Sequence, residues 1–246
     1  LTFGRDTLTI KHLLTMSAGV DWDESYNSLF SKTTKAYYGN DLWNLTLTEK
    51  LIEKPGEKFN YQSGVSLMIA FLLQKATGKT ISAYTSEKLW TPLGAQFDAL
   101  WSLDKKNGME KAYCCFNTNA RDYARLGQLV LQKGQWNGKQ IIDSIYIREA
   151  TTPASRLSFT PKPGKNGEIY PARPNTFYGY QFWIAQYDNM TIPYFRGILG
   201  QYIFVIPQLN AVVVRLGHKR SSDFNREQNH TKDVETWIKA GIDILK

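Results

Sequence analysis

The chain has 246 residues, 42% of them hydrophobic and 13% aromatic, enough for one large domain or two intimate subdomains with a real core. No run approaches the roughly 18 apolar residues that a membrane-spanning helix needs. The net charge of +8, from 30 basic and 22 acidic residues, favours anionic partners in principle. The charges are scattered, however, the densest run (His218-Lys219-Arg220) is short, and no nucleic-acid motif accompanies them, so no nucleic-acid partner is expected.

The opening Leu1-Thr2-Phe3-Gly4-Arg5-Asp6 has neither an initiator Met nor a signal-type apolar core. The sequence therefore reads as cut from something longer, or processed, with any address label lost. Its only cysteines, Cys114 and Cys115, are adjacent. Neighbouring cysteines rarely bridge and lack metal-ligand spacing, so two small buried thiols are expected. Asn44, Asn189 and Asn229 form sequons that matter only in a eukaryotic secretory setting.

In chain order, Thr7 to Met16 begins with a capping-type Thr and carries an apolar stripe at 10, 13 and 14, which predicts a short helix ended by Ser17-Ala18-Gly19. Residues 20–35 lack clean periodicity and read as a loop. Thr46 to Glu53 predicts another short helix, stopped before Pro55. After the Pro55-Gly56 turn, Ser63 or Gly64 opens a helix through Ala76, with Ser63 as its cap and Gly78 as its stop. Further helices are predicted over Ile81–Leu89, over Thr118–Gln132 with Thr118 as cap, and over Ile141–Ala150.

Residues 152–176 hold five prolines, two glycines and two lysines and read as an exposed excursion. Tyr178–Gln186, Gly200–Ile206 and Ala211–Leu216 predict strands, the last two paired as a hairpin through Pro207-Gln208-Leu209-Asn210. Asp233–Leu245 predicts an amphipathic terminal helix. The sum is an α+β fold: a mainly helical part over 1–150, the excursion over 151–176, and antiparallel strands with a final helix over 177–246.

Two fragments suggest chemistry. Pro55 to Gly64 presents Tyr61 at the mouth of a helix. Such a phenol serves as a general base if nearby cations lower its pKa; the alternative is an aromatic packed over a helix start, with Ser63 merely capping it. Gly197 and Gly200 flank the start of a strand, where bare backbone N–H groups can approach a developing oxyanion; the alternative is a bulge or twist point. The nucleophile that should stand between them is not found. Serine acylation with a lysine partner asks for S-x-x-K on a helix. Only Ser102-Leu103-Asp104-Lys105 fits that spacing, in a stretch that reads as a loop. There is no G-x-S-x-G elbow, and His12, His218 and His230 show no ligand-like spacing, so neither a metal nor another cofactor is expected.

The chain resembles the β-lactamase-related serine hydrolases, a group that includes class C β-lactamases, D-Ala-D-Ala carboxypeptidases (penicillin-binding-protein-like enzymes), related esterases and 6-aminohexanoate-dimer hydrolase. Four segments carry the likeness: Leu8 to Gly19; Lys54-Pro55-Gly56-Glu57 through Tyr61-Gln62-Ser63-Gly64; Ala120-Arg121-Asp122-Tyr123-Ala124-Arg125-Leu126-Gly127-Gln128-Leu129; and Arg196-Gly197-Ile198-Leu199-Gly200-Gln201. They stand in the family's order, and the likeness runs from residue 8 to about 217.

The resemblance implies that Tyr61 is the tyrosine of the Y-x-N motif, which takes and returns the proton in acylation and deacylation. It implies that the Ile198 backbone N–H is one oxyanion donor. Gln62, Ser63, Arg196, Gly197 and Gly200 fall at substrate-binding positions, and Trp22 and Tyr26 at positions lining the cleft. The Tyr61 phenol and the Ile198 amide are expected to face a common pocket. Ser63 replaces the motif's Asn, and Phe195-Arg196-Gly197 replaces K-T-G, which tilts the expectation toward an esterase or linear amidase rather than a lactamase. The family's nucleophilic serine and lysine precede the segment matching Leu8 to Gly19 by several dozen residues. The serine, the first helix and the initial strands are therefore expected upstream of Leu1, in an N-terminal segment of the same protein. By resemblance the location is periplasmic or secreted, and the partner is a small amide, ester or peptide. The 246 residues alone are expected to be inactive. The alternative from another class is a non-catalytic module on the same fold, binding peptidoglycan or a peptide.

Overall fold

A computed structural model describes residues 4–164 and 167–245; Leu1 to Phe3 and two residues of the 152–176 stretch lie outside the described residues. The chain forms two compact units. One comprises Leu1–Gly94, Asp98–Asn117 and Arg156–Phe159, the other Ala95–Phe97, Thr118–Ser155 and Thr160–Lys246.

The first unit is helical: α1 (Ile10–Leu14), α2 (Lys32–Tyr38), α3 (Leu42–Leu47), α4 (Ser63–Thr77) and α5 (Ile81–Thr85), the last running into a π-helical turn over Ser86–Trp90. α4 is its centre. Val65, Leu67, Met68, Ala70 and Phe71 are buried, and Trp43 of α3 packs its ring 4.8 Å from Phe71. Gly78 ends α4 in the left-handed conformation (φ 68°), its N–H reaching the Gln74 carbonyl, which is the stop the sequence predicts.

Three boundaries differ from expectation. Thr9, not Thr7, caps α1, accepting from the His12 N–H while His12 Nδ1 accepts from the Thr9 N–H at 3.3 Å; this reciprocal pair is a capping box with histidine in the usual Glu place. The helix predicted over Thr46–Glu53 lies earlier, at Leu42–Leu47, because Asp41 supplies the cap. The predicted loop over 20–35 gives way to α2, capped by Ser31.

The second unit has three layers. β1 (Trp183–Tyr187), β2 (Met190–Gly197), β3 (Gln201–Ile206) and β4 (Ala211–Arg215) form an antiparallel meander in the order β4-β3-β2-β1. α6 (Ala120–Leu131) and α7 (Ser144–Ala150) lie on one face, and α8 (Asp233–Leu245) packs on the other. Period-2 alternation sorts the residues. Val205 joins Val130 of α6 and Ile147 of α7 in one apolar cluster flanked by Phe195, while Val213 faces α8. Two glycines let the helices close in: a Cβ at Gly127 would lie 2.5 Å from Val212, and one at Gly241 2.6 Å from Val213. The β3–β4 hairpin is as predicted, turned at Pro207–Leu209 with Asn210 left-handed at φ 48°.

Asn119, one residue after the predicted Thr118, caps α6 through Oδ1, and Asp143 rather than Ile141 opens α7. Asp122 on α6 is fully buried and accepts from the Gln96 and Phe97 N–H groups, Asn119 Nδ2 and Arg125 Nη1. Burial alone would raise its pKa; these donors outweigh that and hold it below the ordinary carboxylate value.

Two expectations are corrected. Cys114 and Cys115 are not two buried thiols but a half-buried disulfide with each other; the turn there, with Cys115 at φ 65°, folds the neighbouring side chains together. The 152–176 stretch is not wholly exposed: Leu157 and Phe159 are buried, with the Phe159 ring 5.9 Å from Phe59.

Candidate active site

Tyr61 is half-buried on the extended segment that enters α4. Two of the motif-bearing segments interlock to hold it. The Gly56 N–H donates to the Ser17 carbonyl at 2.9 Å and the Asn60 N–H to the Met16 carbonyl at 2.8 Å. The residues after α1 thus fix the backbone immediately before Tyr61.

A carboxylate that sequence reasoning missed organises the rest. Glu24 lies on the loop after α1 and reaches the N-terminus of α4. Its Oε2 accepts from the Ser63 N–H at 2.7 Å, and its Oε1 accepts from the Ser63 hydroxyl at 2.6 Å. Oε1 also accepts from the Tyr26 hydroxyl at 2.6 Å, and Oε2 from the Thr33 hydroxyl at 3.1 Å. A carboxylate at a helix N-terminus is favoured by the unsatisfied N–H groups and the helix dipole. Ser63 is therefore not the cap: it is the first helical residue, Gln62 in the cap position makes no side-chain cap bond, and Glu24 does that work from 39 residues away.

Tyr26 closes the cluster. Its ring is half exposed, but its hydroxyl is withdrawn beside Glu24, Tyr61 and Ser63. Desolvation first, then the Glu24 charge and hydrogen bond, push this phenol far above its ordinary value, against a smaller opposing pull from Ser63. Tyr26 and Ser63 are thus brought together around one anion, with the Tyr61 phenol near enough for its charge to act on that of Tyr26.

Gln62 and Trp22 are placed otherwise. Gln62 is 1% exposed, and its amide donates to the Val20 and Trp22 carbonyls at 2.9 and 3.3 Å. Trp22 is 5% exposed and donates its indole N–H to Thr33. Its ring lies flat on Gly64, where any Cβ would come within 2.3 Å. Both expected substrate-facing residues instead secure the loop against the start of α4, because a buried amide or indole must satisfy its donors internally.

In the other unit, Arg196 and Gly197 close β2 rather than opening a strand, and Ile198-Leu199-Gly200 is the turn into β3. Ile198 and Leu199 are 55% and 47% exposed. Leu199 has φ 62°, a region a branched side chain disfavours. Gly200 has φ 85°, and a Cβ there would lie 1.8 Å from Arg215 Nη1. Arg215 explains that glycine: Nη1 donates to the Gly200 carbonyl at 2.5 Å while the guanidinium stacks 4.6 Å from Trp237 of α8. The turn is braced again by Gln201, which pairs with both backbone groups of Gly217.

Arg196 is half-buried, its guanidinium 3.5 Å from the Trp183 ring centroid and its Nη1 donating to the Asn229 carbonyl at 3.0 Å. This cation is held against its own sheet by stacking and a hydrogen bond. Phe195 packs 4.8 Å from Phe182 on the opposite face. Among the described residues, no group of three or more His, Cys, Asp or Glu stands where it could hold a metal ion. None of their helices is long and apolar enough to cross a membrane. Ser102 lies in a stretch without regular structure and Lys105 in a bend, neither on a helix.

A family model described as Beta-lactamase matches residues 1–236. The chain belongs to the Beta-lactamase family. Among curated relatives it is 24% identical over 222 residues to 6-aminohexanoate-dimer hydrolase of Paenarthrobacter ureafaciens, covering 86% of this chain and 55% of the relative. It is 29% identical to protein flp of Staphylococcus aureus over 89 residues, which is 36% of this chain and 17% of flp. Among solved structures, a putative 6-aminohexanoate-dimer hydrolase from Bacillus anthracis superposes with a TM-score of 0.73 at 21% identity, covering 96% of this chain and 60% of that one. A D-stereospecific amidohydrolase from Streptomyces gives 0.64 at 13% identity, covering 98% and 74%. The fold is thus the β-lactamase-like α+β fold of this serine hydrolase family. The chain spans a little over half the length of the first of these relatives.

Proposed function

We propose that these 246 residues are the part of a serine hydrolase that carries proton transfer and oxyanion stabilisation, with the acylable serine in sequence upstream of Leu1. The whole protein acts on an amide or ester through an acyl-enzyme. Tyr61 takes the serine's proton on attack and returns it to the leaving group, and the Ile198 backbone N–H stabilises the tetrahedral oxyanion. The observation that supports this reading is the α4 entrance: within the Beta-lactamase family match, Tyr61 lies on the segment that leads into α4, where one carboxylate fixes the Tyr26 and Ser63 hydroxyls. Tyr26, the exposed member of the pair, gives its proton to Glu24 Oε1 and so keeps lone pairs for a ligand. That chemistry welcomes an N–H donor and gives nothing to an ester oxygen, which favours a linear amide as substrate. The names of two relatives, a hydrolase of a linear amide dimer and an amidohydrolase, agree with that choice. By resemblance the site of action is periplasmic or extracellular.

The test is turnover by the product of the whole gene on a linear amide, a p-nitrophenyl ester, a cephalosporin and a D-Ala-D-Ala peptide. Turnover of the amide is expected, and none by residues 1–246 alone. No turnover of any substrate by the whole product, or full activity in the 246-residue chain, overturns the reading.

A second reading has one observation in its favour: the sequence contains no S-x-x-K on a helix. On it the fold is a non-catalytic module for a peptide or peptidoglycan. Saturable binding without a covalent fluorophosphonate adduct on the whole product would select this reading.

A further inference from the structure

α6 buries Asp122, Gly127, Leu129 and Val130 and turns a different stripe outward. Arg121, Arg125, Gln128 and Gln132 recur at i, i+4, i+7 and i+11, which places them along one face. Beside that face rises a tight hairpin, Gln135-Trp136 paired with Lys139-Gln140. Its two turn residues, Asn137 (φ 46°) and Gly138 (φ 77°), are both left-handed, the geometry of a two-residue turn that holds its strands without splay. The base is fixed as well: Gly134 takes φ 84°, its carbonyl accepts from the Ile141 and Ile142 N–H groups, and Gln140 Nε2 donates to the Lys133 carbonyl at 2.9 Å.

Helix and hairpin enclose an open trough of about 710 Å³ lined by these side chains, with Ala124, Trp136 and Asn137. Its lining contains no carboxylate. Arg125 is held in place by Asp122 at 2.7 Å, so a charge stands at a fixed point without rotamer entropy being lost on binding. Arg121 is exposed and adds a second charge. Gln128, Gln132, Gln135 and Asn137 offer amides that both donate and accept, which suits hydroxyl-rich ligands. The half-buried Trp136 indole offers an apolar face of the kind that takes the C–H side of a pyranose ring.

We propose that this trough is a binding site for an anionic oligosaccharide, its carboxylate on Arg121 and Arg125, its hydroxyls on the amide row and one ring on Trp136. The site lies wholly within the sheet-bearing unit and does not depend on the proposed catalysis. It gives the protein a means of holding an acidic glycan independently of any reaction.

The test is an NMR titration of the whole protein with tetragalacturonate, following the Trp136 indole N–H signal assigned through Trp136→Phe. Cellotetraose serves as the neutral control and tetraglutamate as the acidic peptide control. Saturable movement of that signal by tetragalacturonate is expected, weakened at least about tenfold in Arg121→Gln and, read from the backbone N–H signal of the trough residue Gly138, in Trp136→Ala, and weakened by added salt. A Gln128→Ala variant should weaken binding less than either. An unmoved signal, cellotetraose binding as tightly, tetraglutamate binding as tightly, or unchanged affinity in both of the first two variants would each overturn the proposal.

Discussion

Glu24 takes four hydrogen bonds, two of them from Ser63, and with Gln62 it ties the loop after α1 to the start of α4. Removing it leaves the Ser63 N–H and hydroxyl without their acceptor in a residue that is 3% exposed. Glu24→Ala should lower the unfolding free energy by about 1–3 kcal/mol, with Glu24→Gln losing less; urea denaturation measures both. Nothing in Trp22-Asp23-Glu24-Ser25-Tyr26 marks Glu24 over its acidic neighbour, because its partner is remote in sequence. The position of Tyr61 at the entrance to α4, by contrast, is legible from the Pro-Gly turn before it and the apolar helix after it.

Two histidines add a pH dependence at the same scale. Burial lowers the pKa of His230, which is fully buried near Gln228, Glu235 and Arg196. It also lowers that of His12, whose Nδ1 must stay unprotonated to accept the Thr9 N–H. Both are thus neutral in the folded chain while the unfolded chain begins to bind protons near the ordinary value of 6.5. The stability they contribute is complete above that pH and is lost as pH falls through their folded values, with a slope of up to about 1.4 kcal/mol per pH unit for each. Urea midpoints between pH 8 and 5 should be flat above neutrality and decline below it. Midpoints that rise on acidification would contradict this assignment.

Elements were read well where local chemistry decides and poorly where partners do. The helix over Ser63–Thr77, its Gly78 stop and the β3–β4 hairpin with left-handed Asn210 follow from apolar spacing and turn residues. β2 was missed as a strand. It carries Pro193, which argues against a central strand, yet Pro193 pairs only with Ile184 of β1 and lies just outside the span bonded to β3. The Asp188-Asn189 turn before it, both residues at positive φ, was the available signal. The error moved Arg196 and Gly197 from the start of a strand to the end of one. The turn that follows carries a testable strain. Leu199→Gly relieves a left-handed branched residue that is half exposed, so stability should rise by about 0.5–1 kcal/mol despite the entropy of a new glycine. A lower melting temperature in that variant would show that the Leu199 side chain contributes more than its backbone loses.

For the molecule as a whole, composition and segregated elements were sufficient for the α+β class, and four short segments were sufficient for the family, which the match over residues 1–236 bears out. Segments distant in sequence but joined in the structure explain why: the Ser17–Gly56 and Met16–Asn60 backbone bonds couple two of them, so their residues are constrained together. The cysteine pair was misjudged because a bond between neighbours depends on a local turn that composition does not reveal. The proposed function turns on Tyr61 carrying the proton for an acylating serine elsewhere in the same protein. The most direct test is the rate of acyl-enzyme formation on the whole gene product, followed by intact mass after mixing with an activated ester, in wild type and Tyr61→Phe. A single serine adduct is predicted, its formation slowed by about 10²–10⁴-fold in the variant. An adduct forming at the same rate in both, or none in the wild type, would contradict it.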